Sequence, residues 1–161
     1  MKVDFKYELS PAWELIEKVE ENTNELFNIQ DKDLKHDTLM VISELLENAV
    51  KYGKSNPQIT GIQFRFYADD NKIIIKVSNG VVARKHVDDV ILHIKKVNAS
   101  DNPEILYTNR LQELLDSRKT GESKLGIFRI SYEGQFKLFY EYKNEILTIT
   151  AEREYGKGDS K

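Results

Sequence analysis

The sequence predicts an α+β fold: a two-layer sandwich with helices on one face of a mixed, mostly antiparallel sheet. Three observations lead there. Residues 1–9 alternate apolar Val3, Phe5, Tyr7 and Leu9 with Lys2, Asp4, Lys6 and Glu8, the period of a half-buried strand. Two further pairs of apolar runs, at 62–78 and 135–154, are each broken by a short polar turn, as hairpins are. Between these stand segments whose apolar residues recur at helical spacing.

Taken in chain order, Ser10-Pro11 supplies an N-cap and a proline at the first helical position, where its missing N–H costs nothing. The helix that follows places Trp13, Ile16, Val19, Leu26 and Phe27 on one stripe. A second helix runs from about Asp33 or His36 to Tyr52, with Leu34, Thr38, Val41, Ile42, Leu45 and Ala49 as its apolar face and Gly53 as its stop. The hairpin pairs Ile62, Phe64 and Phe66 with Ile73, Ile75 and Val77 through the turn Ala68-Asp69-Asp70-Asn71. Past Asn79-Gly80 the period turns helical again, with Val87, Val90, Ile91 and Ile94 inward. Asp101-Asn102-Pro103-Glu104 opens a further helix striped with Leu111, Leu114 and Leu115. Residues 116–124 read as an exposed loop, 125–133 as a short helix, and 135–142 and 145–154 as strands joined at Lys143-Asn144. One domain over 1–155 with a tail at 156–161 is expected.

Composition narrows the function classes. The 161 residues include 24 Lys plus Arg against 27 Asp plus Glu, three His and no Cys, for a formal charge of −3. Without cysteine there is no disulfide framework, thiolate metal site or Cys nucleophile. The near balance of charge gives no basic excess to neutralise nucleic-acid phosphates. No apolar run suits a signal peptide or a transmembrane helix, so a cytoplasmic protein is expected.

The most informative segment is Glu44-Leu45-Leu46-Glu47-Asn48-Ala49-Val50-Lys51-Tyr52-Gly53. On a helix, positions 44, 48 and 51 fall within about 60° of one another, so a carboxylate, an amide and an amine share one stripe. That set suits a metal-bound phosphate group, with the amide on the cation, the amine on phosphate and the carboxylate orienting a nucleophile. The same spacing also suits a solvated helix face with ordinary i,i+3 and i,i+4 pairs.

ISELLENAVKYG closely resembles the N-box of the GHKL (Bergerat-fold, histidine-kinase-like) ATPase superfamily, where the pattern is roughly E-L-x-x-N-A-x-K-Y/H. The element order is similar over nearly the whole chain. The resemblance implies an ATP-binding site with Mg²⁺ held through Asn48, phosphate on Lys51, Tyr52 beside the nucleotide and Glu44 as the catalytic residue. Two glycine boxes would complete it. Where the family reads D-x-G-x-G, this chain has Ser78, Asn79 and Gly80, a neutral set for the adenine. Where it reads G-x-G-L-G-L, this chain has Gly121, Lys124 and Gly126, so that a lysine stands at the middle glycine. Gly126 still lets backbone N–H groups approach a phosphate. The stand-alone size and the closing strands are similar to small bacterial anti-sigma-factor and SiaB-type switch kinases. That implies serine/threonine phosphorylation of a STAS-domain (anti-sigma antagonist) or sigma-factor-like partner in signal transduction, and a possible homodimer. The alternative is a non-catalytic module that sequesters its partner without nucleotide.

Other residues receive plainer readings. His36 is expected on a helix surface, and His86 and His93, seven residues apart, on a solvated face. Arg84, Lys85, Lys95, Lys96, Arg110, Arg118 and Lys119 form either a lid over a triphosphate or the polar faces of two amphipathic helices. Trp13, Phe64, Phe66, Phe136, Phe139 and Tyr140 are assigned to the core or a subunit interface.

Overall fold

The computed structural model describes residues 2–10, 13–117 and 125–156. Among them the order is β1 (Val3–Leu9), α1 (Glu14–Leu26), α2 (Lys32–Tyr52), β2 (Ile62–Ala68), β3 (Lys72–Gly80), α3 (Arg84–Ala99), α4 (Pro103–Ser117), α5 (Gly126–Tyr132), β4 (Lys137–Lys143) and β5 (Ile146–Glu154). The five strands form one sheet in the order β1-β2-β3-β5-β4. All four pairings are antiparallel, where a mixed, mostly antiparallel sheet was expected. The reason is topological: β4 runs in the same direction as β3, but its hairpin partner β5 inserts between them, so no parallel ladder forms.

The alternations of β2 and β3 are realised as expected, with Phe64, Phe66, Ile73, Ile75 and Val77 buried on the helix-facing side. Asp69 closes their turn by accepting from the N–H groups of Asn71 (2.8 Å) and Lys72 (3.0 Å). The β4–β5 turn lies one residue later than expected, on Asn144 and Glu145. Both have positive φ, 55° and 60°, which matches the twist of a two-residue hairpin.

Helix α2 is the central support of the sheet. Asp31 caps it, its Oδ1 accepting from Leu34 N–H at 3.0 Å, so the helix starts slightly before the expected boundary. Val41, Ile42, Leu45, Leu46 and Ala49 are buried, and the helix packs on α1, β3 and α5. Thr38 joins that face because its hydroxyl donates to the Leu34 carbonyl at 2.7 Å. Gly53 ends the helix in extended backbone (φ −65°, ψ 143°) instead of the left-handed conformation. Glycine is required there for space: a Cβ would lie 2.4 Å from the Ala49 carbonyl oxygen.

Two helices depart from expectation. Helix α1 begins at Glu14 with Trp13 in the cap position and no side-chain cap; Pro11 lies outside the described residues. Ile16, Val19 and Phe27 are buried, but Trp13 is 55% exposed and Leu26 also faces solvent. Phe27 takes the inward place because the chain leaves the helix there, and its ring meets Phe66 edge-on at 5.4 Å. In α4, Leu106 and Tyr107 touch the core while Ile105, Leu111 and Leu115 are exposed, Leu115 at 67%. Of the leucine stripe read from the sequence, Leu111 and Leu115 therefore lie on the surface and Leu114 is half-buried. Phe136 is buried as assigned, whereas Phe139 and Tyr140 of β4 are exposed.

Candidate functional site

A cleft of about 240 Å³ opens where α2, α3 and the start of α5 converge, with Trp13 at its margin. Helix α2 contributes Glu44, Asn48, Lys51 and Tyr52 to its wall, and α5 contributes Gly126 and Ile127. Five of the residues expected in the site are thus brought together. Their convergence follows from the 3.6-residue period, which turns one side of α2 to the sheet and an adjacent stripe to α3 and α5.

Glu44 is not a free carboxylate. Arg129 donates from Nη1 to its Oε1 at 3.0 Å and from Nε to Glu133 Oε2 at 2.7 Å, so one guanidinium bridges two acids. Burial pushes the Glu44 carboxyl above its ordinary range, and this outweighs the opposing hydrogen bond from Arg129. The other oxygen of Glu44 presses on the backbone of α5: a Cβ on Gly126 would lie 2.6 Å from Oε2. Gly126 therefore serves close approach to a carboxylate within this chain. Nearby, Ser43 donates to Glu47 at 3.1 Å, and burial raises the carboxyl of Glu20 on α1.

The far wall corrects the histidine reading. His86 and His93 are 5% and 8% exposed, and both line the cleft instead of facing solvent. His86 stacks on Tyr52 with ring centroids 3.5 Å apart and planes at 15°, and His93 tilts against Phe128 at 5.0 Å. The signal was present in the spacing: 86, 90, 93 and 97 form a continuous helical stripe with buried Val90 and Val97. Lys51 Nζ lies 5.2 Å from the Tyr52 ring centroid, completing a His–Tyr–Lys layer. The Tyr52 hydroxyl is buried with no hydrogen-bond partner among the described residues. His36 is solvent-exposed as expected.

Ser78, Asn79 and Gly80 lie elsewhere. Ser78 faces the side of the sheet away from the helices, and its hydroxyl shares a 2.7 Å hydrogen bond with Thr148 on β5. Asn79 is buried beside Gly53, donates to the Gly80 carbonyl at 3.2 Å, and lines a second hollow with Lys54 and Asn56. Gly80 is held against the 54–56 loop, where a Cβ would lie 2.3 Å from the Lys54 carbonyl oxygen. Gly121 and Lys124, together with Arg118 and Lys119, lie outside the described residues. Of the remaining basic residues on α3 and α4, Arg84 pairs with Asp88 at 3.2 Å and lies over Tyr142, and Arg110 pairs with Glu113 at 3.1 Å.

For Mg-ATP, the described residues fit one end of the ligand and not the other. Asn48, Lys51 and Gly126 suit cation and phosphate contacts, but the Tyr52 face is covered by His86 and the cleft is smaller than the roughly 300–1,000 Å³ of common ligand sites. No group of three or more metal-ligating His, Asp or Glu occurs among the described residues. No described helix is long and apolar enough to cross a membrane. No protein-family model matches the sequence, and the curated proteins give no match to it.

Proposed function

We propose that this chain is a cytoplasmic signalling regulator of the GHKL type that acts by holding a protein partner of the STAS or sigma-factor-like class, without nucleotide. The observation that carries this reading is the His86–Tyr52 stack, which covers the face of the Tyr52 ring beside which the resemblance puts a nucleotide. The pairing of Glu44 with Arg129 and of Ser78 with Thr148 points the same way, since both polar groups are already engaged. The exposed Ile105, Leu111 and Leu115 of α4 offer apolar surface of the kind that protein partners cover. Calorimetric titration with Mg-ATP tests it: no heat at millimolar ligand is expected.

A second reading has its own observation. Glu44, Asn48, Lys51 and Gly126 share one cleft, which favours an ATP- and Mg²⁺-dependent serine/threonine kinase acting on the same class of partner. There Asn48 would hold Mg²⁺ through the nucleotide, Lys51 would meet phosphate, and Glu44 would orient the accepting hydroxyl once Arg129 released it. Micromolar Mg-ATP binding that Asn48→Ala abolishes would support this reading and overturn the first.

A further inference from the structure

The two edges of the sheet are finished differently. At β4, Asn98 of α3 donates from its side chain to the Leu138 carbonyl at 2.9 Å, so a backbone acceptor of that strand is already occupied. At the other end β1 pairs with β2 through seven consecutive residues, Val3↔Ala68 to Leu9↔Ile62, without a bulge. No proline interrupts Val3–Leu9, and among the described residues no strand pairs with its outer side. A regular, unblocked edge is a template for another strand unless charge prevents it.

Here the charge pattern selects a partner. The outward-facing residues of this segment read Lys2, Asp4, Lys6 and Glu8, alternating in sign at every second position. Antiparallel pairing with a second copy about a two-fold axis at Phe5 sets Lys2 opposite Glu8 and Asp4 opposite Lys6, so all four outward pairs across the seam attract. Moving the axis to Lys6 sets Asp4 against Glu8 and Lys6 against itself. Moving it to Tyr7 leaves Asp4 facing Ser10. One register is thus favoured, and in it Phe5 meets Phe5 and Val3 meets Tyr7 on the inner face, where these side chains are only partly buried in one copy. Arg65, on the neighbouring strand, grips Asp4 at 3.2 and 3.1 Å and holds its carboxylate on the outer face.

We propose that β1 is a self-recognition edge, joining two copies of this chain into one continuous antiparallel sheet with its two-fold axis at Phe5. Because the chain has no cysteine, register can be read directly by disulfide trapping. Oxidation of a mixture of Asp4→Cys and Lys6→Cys proteins is expected to give a crosslinked dimer, while either variant alone gives none. Only the 4–6 pair is directly opposed, and diagonal positions are too far apart for a disulfide. Light scattering of the wild type is expected to report a dimer that dissociates as salt rises. Lys6→Glu should weaken it by about tenfold or more, since two attractive pairs become repulsive. Asp4→Lys combined with Lys6→Asp should restore it, keeping a carboxylate in reach of Arg65. A wild type that stays monomeric at high micromolar concentration overturns the proposal and leaves the edge to a strand of another protein. A dimer insensitive to these charges, or trapped equally well by one cysteine variant alone, overturns it too. All variants are checked for a wild-type circular-dichroism melt, so that loss of folding is not read as loss of pairing.

Discussion

Gly126→Ala isolates the contact that fixes Glu44. A methyl group at position 126 would lie 2.6 Å from Oε2, so the carboxylate must swing away, and its 3.0 Å hydrogen bond from Arg129 is lost. A charge-assisted hydrogen bond contributes about 1.5–3 kcal/mol when well shielded. Arg129 is 39% exposed and keeps Glu133, so about 1 kcal/mol is the appropriate loss. Against this, alanine is a better helix former than glycine by about 0.5 kcal/mol near a helix end. The net cost of Gly126→Ala in the wild type should be about 0.5 kcal/mol. In a Glu44→Ala background there is no carboxylate to displace, and the same change should stabilise by about 0.5 kcal/mol. Urea unfolding of the four proteins gives the coupling directly, expected at about 1 kcal/mol. Additivity within about 0.3 kcal/mol would refute the reasoning. A glycine requirement that persists without Glu44 would place the cause in the backbone.

Three other changes follow from the same structure. Burial raises the Glu44 carboxyl in the folded state, so the native form binds its proton more tightly than the unfolded chain does. The stability this adds is fully present below glutamate's ordinary range and is lost as pH rises through the raised value. The advantage of wild type over Glu44→Gln should therefore shrink across that interval, as followed by denaturant midpoints at several pH values. Leu45→Ala, at a fully buried site of α2, should cost about 2–5 kcal/mol in the same assay. Asp31→Ala removes the cap of α2 and should cost about 1 kcal/mol, with Asp31→Asn close to neutral.

The strands were legible because alternation over seven to nine residues has no competing explanation, and Phe64, Phe66, Ile73 and Ile75 fall where it places them. The polar stripe of α2 was legible for the same geometric reason. His86 and His93 were misread because histidine was counted with the polar residues; a ring can be buried by stacking as well as by hydrogen bonding. The grouping of Ser78 with Asn79 was open to correction from the sequence itself. Neighbours on a strand point to opposite faces, so their two side chains do not reach the same ligand. The exposure of Leu111 and Leu115 had no sequence signature, since an apolar stripe does not say whether anything lies over it. The start of α1 at Glu14, past the Ser10-Pro11 signal, has no explanation in the described residues.

The position of β3 sets an order of opening within the molecule. It is paired along both sides, to β2 and to β5, and its inward side chains are fully enclosed. Its amides can exchange with solvent only when the whole sheet comes apart. Helix α4 rests on the rest of the molecule chiefly through α5 and keeps much of its apolar surface outside. It is therefore expected to open before the sheet does. Deuterium should enter α4 early and β3 last, giving the chain a rigid half and a half that can be remodelled without unfolding.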